Sequence, residues 1–155
     1  RGDYEAARST LQKSLREARA REHGPWIGVM SLLLAGVSVL EGDLFDAADV
    51  LDEAITRCKV PTMAIPLAAF RSAVHAATGD LMTADAAWGQ WERDGHSASM
   101  SVQLTLYRGQ LEVARGDEAA ARQCAEAIDA GGDVPFLAVR IAHKWLMRSV
   151  EDRFV

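Results

Sequence analysis

"LLLAGVSVLEGD", residues 32–43, is the stretch whose reading decides the fold. Its ending returns in "AFRSAVHAATGD" at 69–80, in "LYRGQLEVARGD" at 106–117, and at the start of the chain as Gly2-Asp3. The four Gly-Asp pairs, at 2–3, 42–43, 79–80 and 116–117, are spaced by 40, 37 and 37 residues. Five residues after each glycine stands an alanine: Ala7, Ala47, Ala84 and Ala121. A period of this length marks a chain built from stacked supersecondary units.

The flanks say what each unit is. Val37, Val74 and Leu111 lie five before the glycine, Leu33, Phe70 and Tyr107 nine before it, and Leu40, Ala77 and Ala114 two before it. These offsets trace one apolar stripe on a helix of 3.6 residues per turn. Nine after the glycine come Leu11, Leu51, Trp88 and Ala125, again on one face with the alanine. Each unit is therefore a helix pair, with glycine ending one helix in the left-handed conformation and aspartate accepting from the free N–H groups that begin the next. Gly24-Pro25, Pro61, Gly95 and Gly131-Gly132 with Pro135 punctuate the chain between units. The reading predicts eight helices, at 3–22, 25–41, 43–58, 62–78, 80–94, 97–115, 117–130 and 134–152, and no strand.

The same logic governs the opening Arg1-Gly2-Asp3, the tripeptide that adhesion proteins display. Before the four Gly-Asp pairs stand Arg1, Glu41, Thr78 and Arg115, so the preceding position varies and the Gly-Asp is the fixed part. The tripeptide is a helix turn, not an adhesion motif. A further step of 37 from Gly116 puts a turn at 153, within "EDRFV" (151–155). The expectation is one repeat domain over 1–155, a piece of a longer protein cut along repeat boundaries.

Composition narrows the function classes. At 155 residues and 49% apolar, the chain can bury a core. A net charge of −5 repels polyphosphate and argues against nucleic-acid binding. Cys58 and Cys124, sixty-six positions apart without a CxxC pair, read as small buried thiols in a reducing, cytoplasmic setting. Val29–Leu40, interrupted by Ser31, Gly36 and Ser38, is shorter than the ~20 residues a bilayer span requires. His23, His75, His96 and His143 show no metal-ligand spacing, and no nucleophile elbow, phosphate loop or HExxH occurs. No catalytic, cofactor or metal residues are expected.

Glycine-aspartate in the turn, alanine five later and a large residue nine later resemble the tetratricopeptide repeat over essentially the whole chain. The period exceeds the usual 34 residues, and of the first-helix positions that normally carry Trp, Leu and Tyr only Leu34 fits. Endings such as "LEVARGD" look more like the divergent arrays of large bacterial signalling proteins, including MalT-type transcription activators. The resemblance implies a right-handed α-solenoid of antiparallel helix hairpins. It also implies a helical sensor or oligomerisation arm beside other domains.

Eight, four and one before the glycine lie on one helix face, which gathers Arg71, His75 and Thr78 in one unit and Arg108, Glu112 and Arg115 in the next. Leu34, Ser38 and Glu41 hold these places one unit earlier. Such a ridge is a contact surface for a charged partner or a solvated face laced with salt bridges. The offsets that line the groove in tetratricopeptide arrays hold Val29, Leu32, Gly36, Val39 and Leu40 in one unit, and Pro66, Ala69, Ala73, Ala76 and Ala77 in the next. These suit close packing rather than a clamp for a charged peptide tail. Trp88 matches Leu11 and Leu51 and belongs in the core; Trp91 matches Ser14 and Ala54, where a ring either fills space or anchors a partner. The expected role is a protein-interaction or scaffold segment of a larger bacterial regulatory protein, with Arg71, His75, Arg108, Glu112 and Trp91 as candidate partner contacts. Small-molecule sensing and self-association are the alternatives.

Overall fold

The computed structural model describes residues 4–93, 102–130 and 137–155. These form eight α-helices, and no strand occurs among the described residues. They are α1 (Tyr4–Ala20), α2 (Gly24–Glu41), α3 (Leu44–Arg57), α4 (Pro61–Ala77), α5 (Leu81–Arg93), α6 (Val102–Arg115), α7 (Glu118–Ala130) and α8 (Leu137–Phe154). Each matches one predicted helix, with ends differing by a few residues; the starts expected at 97 and 134, like the first Gly-Asp turn at 2–3, lie outside the described residues.

The three described Gly-Asp turns share one geometry. Gly42, Gly79 and Gly116 have φ of 88°, 88° and 81°. The aspartate N–H reaches back five residues to donate to the Ser38, His75 and Glu112 carbonyls, each at 2.9 Å, and the glycine N–H donates to the Val39, Ala76 and Val113 carbonyls. This double bond closes the carbonyl end of one helix. The Asp43, Asp80 and Asp117 Oδ1 atoms then accept from the N–H of Asp46, Thr83 and Ala120 at 2.9, 3.2 and 3.0 Å, closing the amide end of the next. The alanines at five, Ala47, Ala84 and Ala121, are each 0% exposed.

The chain divides into two compact units, one up to Ala68 and one from Ala69, with the division inside α4. In the first unit α2 packs against α1 and α3. Its core holds Leu15, Ile27, Leu34, Val37, Leu51 and Ala54. In the second unit α6 packs against α5, α7 and α8, and α7 against α8. Phe70 stacks on Tyr107 with ring centroids 4.6 Å apart and interplanar angle 12°, and Trp145 meets Phe70 at 5.7 Å. Trp88 is buried, as the repeat alignment expects. A Cβ on Gly109 would come within 2.5 Å of Leu146 Cδ2 and 3.0 Å of Cys124 Cβ, so glycine is what lets α6 lie this close to α7 and α8.

Two sequence expectations need correction. α8 runs on through Arg153, so no turn forms at 153; buried Leu146 and Val150 lie nine and five before position 155, which shifts the phase of this repeat by two residues. The apolar run is also longer than Val29–Leu40: α2, with 18 residues and a mean hydropathy of 1.5, is long and apolar enough to cross a membrane by length and composition. Within the structure 61% of it is buried, and Ser31 and Ser38 lie inside the first unit's core with its apolar side chains.

The α1–α2 turn is the odd one. Glu22 has φ of 50°, and the bonds His23 N–H to Ala18 O and Glu22 N–H to Arg19 O reproduce the double bond of the Gly-Asp turns. A side chain therefore occupies a glycine position. The left-handed region costs an L-residue about 1–2 kcal/mol. Gly42→Ala is expected to lower unfolding free energy by about that amount, while Glu22→Gly raises it by about 0.5 kcal/mol after the entropy of the added glycine. Urea denaturation of the two variants, with opposite signs, checks this.

Candidate functional site

The polar positions on the ends of the first helices are drawn into two charge hubs, one in each unit. In the first, Arg8 on α1 bonds Glu41 at the end of α2, and its Nη1 lies 2.7 Å from Asp46 Oδ2 on α3. Ser38, fully buried, donates from its hydroxyl to the Asp46 carboxylate, with its oxygen also 3.0 Å from the Leu34 carbonyl, while Arg8 Nη2 reaches that oxygen at 3.3 Å. Burial works against the Asp46 charge, but the Ser38 and Arg8 hydrogen bonds outweigh it and hold the carboxyl below its ordinary range.

In the second hub Arg115 at the end of α6 bonds Asp85 on α5, and its Nη1 lies 2.9 Å from Glu112 Oε1. The same Glu112 oxygen accepts from Arg108 Nε at 2.7 Å. The Glu112 side chain is only 10% exposed, and Arg108 also lies over the Trp88 ring at 5.6 Å. Half-buried Cys124 sits in the field of this group: burial and the Glu112 charge push its thiol pKa up, so it is not an activated nucleophile.

The hubs are equivalent in the repeat. Arg8 and Asp85 both stand six residues after a turn glycine, and their partners Glu41 and Arg115 both stand one before the next. The polarity is reversed between them, yet each places one arginine between two carboxylates. The flanking acid sets the direction: Asp46 demands the arginine from α1, Glu112 demands it from α6.

Of the candidate contacts, Arg108 and Glu112 are thus brought together and engaged within the chain. Arg71 and His75 are half-buried on α4, where His75 Nδ1 lies 3.4 Å from Asp80 Oδ2. Trp91 belongs to the α5 helix, and its side chain lies outside the described residues. Sequence reasoning missed Arg8 and Asp85 as hub members. Their signal was available in the opposite charges at the two offsets, but single charges on exposed-looking faces carry no flag of their own. Buried Cys58, as expected of a packed thiol, donates to the Gly24 carbonyl with Sγ at 3.2 Å. Among the described residues no group of His, Cys, Asp and Glu is disposed to hold a metal.

Compared with known proteins, the chain matches no family model, no curated protein and no solved structure.

Because Asp46 and Glu41 remain beside the vacated position, Arg8→Ala is expected to cost about 1–2 kcal/mol, with an Arg8/Glu41 double-mutant coupling of about 0.5–1 kcal/mol. Chemical denaturation of the four proteins in the cycle measures both. The depressed Asp46 pKa also fixes a pH window. Its contribution is complete above the unfolded carboxylate value of about 3.9 and disappears as pH falls through the lower folded value. The stability gap between wild type and Asp46→Asn should therefore be constant near neutrality and close below about pH 4, as read from denaturation midpoints at a series of pH values.

Proposed function

We propose that the chain is an α-solenoid of tetratricopeptide-like hairpins and serves as a protein-interaction or scaffold segment of a larger cytoplasmic regulatory protein, akin to the helical arms of MalT-type activators. Repetition of one turn geometry, and the packing of α6 on both α7 and α8 in the second unit, support stacked hairpins. Phe45 and Met82 carry the binding reading. Each is the third residue after a turn glycine, on α3 and α5 respectively, and they are 80% and 82% exposed. A large apolar side chain kept in solvent at the same repeat position twice is unlike the single exposed residues any surface carries, and apolar side chains of this size anchor protein interfaces.

In this reading Phe45 supplies an apolar contact on the first unit and Met82 one on the second, with Arg71, His75 and Trp91 as further candidate contact residues of the second unit. Arg108 and Glu112 are engaged with one another inside the second unit and serve its fold. The test is capture of partners on immobilised protein, comparing wild type with Phe45→Ser, Met82→Ser and Arg71→Glu. Capture should fall severalfold for each variant while far-UV circular dichroism stays unchanged. Undiminished capture by all three would remove these residues from consideration.

A further inference from the structure

A cavity of about 560 Å³ opens in the first unit where α1 ends, α2 begins and α3 gives way to α4, and cations from separate parts of the chain converge on it. Arg19 comes from α1, Arg57 from the last turn of α3, and Lys59 from the segment after it. Ile27 and Val60 supply apolar wall, and Glu22 stands at the same cavity. The volume falls in the range of small-molecule sites, about 300–1,000 Å³.

The cations are incompletely satisfied. Glu53 holds both arginines, bonding Arg19 Nη2 and placing its Oε1 3.0 Å from Arg57 Nε as an ion pair. That leaves Arg19 Nε buried with no hydrogen-bond partner. Lys59 makes no ion pair among the described residues. Three cations against the carboxylates of Glu22 and Glu53 leave one positive charge, in a chain whose net charge is −5. One negative charge would balance the site, and a planar carboxylate matches a guanidinium edge.

We propose that this cavity binds a small organic monocarboxylate, with the carboxylate held between Arg19, Arg57 and Lys59 and its apolar body against Ile27 and Val60. The site does not depend on the scaffold reading and gives the chain a ligand response of its own. Because the cavity joins α1, α2 and the end of α3, a ligand there stabilises the first unit by mass action.

The probe is phenylacetate, titrated calorimetrically into the full chain at fixed ionic strength, with phenylacetamide as its uncharged counterpart. Phenylacetate should bind saturably and roughly tenfold or more tighter than the amide, because the amide cannot form the charge-assisted bonds. Lys59 makes no ion pair among the described residues, so Lys59→Gln should leave helicity and unfolding unchanged and weaken phenylacetate roughly tenfold, whereas Lys59→Arg retains binding. Glu22→Gln removes a repelling carboxylate and should tighten it. Equal affinity for acid and amide, absence of saturation, or unchanged affinity in Lys59→Gln would overturn the proposal. So would binding confined to a peptide with a free C-terminal carboxylate, which would assign the cavity to a polypeptide instead.

Discussion

Everything in this chain depends on a reversal of helix direction within two residues. A helix end leaves carbonyls without partners and the next helix start leaves N–H groups without partners, and burying either set costs free energy. Glycine followed by aspartate resolves both at once. The glycine turns the backbone left-handed so that two N–H groups fold back on the old helix, and the aspartate carboxylate caps the new one. Because the connection is so short, the following alanine, five residues on, must pass close to its neighbour, and it is completely buried at all three described turns.

The turn also delivers charge to a defined place. Residues one before the glycine and six after the previous glycine meet at the helix ends, joined by Asp46 four after its glycine or by Glu112 four before its own, and there Arg8 with Glu41 and Asp46, and Arg115 with Asp85 and Glu112, form two hubs of opposite polarity. An exposed ion pair adds little to stability. Its greater effect here is discrimination: an arginine between two acids ties together three helices in the first hub and two in the second, and the intermediate offsets, Ala48 and Thr78, carry no charge at all. Charge thereby gives otherwise similar helix pairs distinct neighbours, much as paired charges select partners in coiled coils.

Some side chains depart from what the turn itself requires. Phe45 and Met82 are large and exposed at a position where nothing in the turn requires them. Glu22 replaces the glycine of the turn and lines a cationic cavity. Departures of this sort are the places to look for contact with other molecules.

The sequence by itself determined the eight helices, the left-handed glycines, the aspartate caps, the buried alanines and the core place of Trp88, because each is a local requirement that leaves a residue type at a fixed offset. It also placed Arg108 and Glu112 on one face, since four residues make nearly one helical turn. Only the tertiary structure decided that Glu112 is buried between two arginines, that Arg8 and Asp85 complete the hubs, and that Arg19, Arg57 and Lys59 surround one cavity. Arg8 and Glu41, Asp85 and Arg115, and Arg19 and Arg57 lie thirty or more positions apart, and their meeting follows from how close α1, α2 and α3, or α5 and α6, approach. A charge read one helix at a time says nothing of that distance.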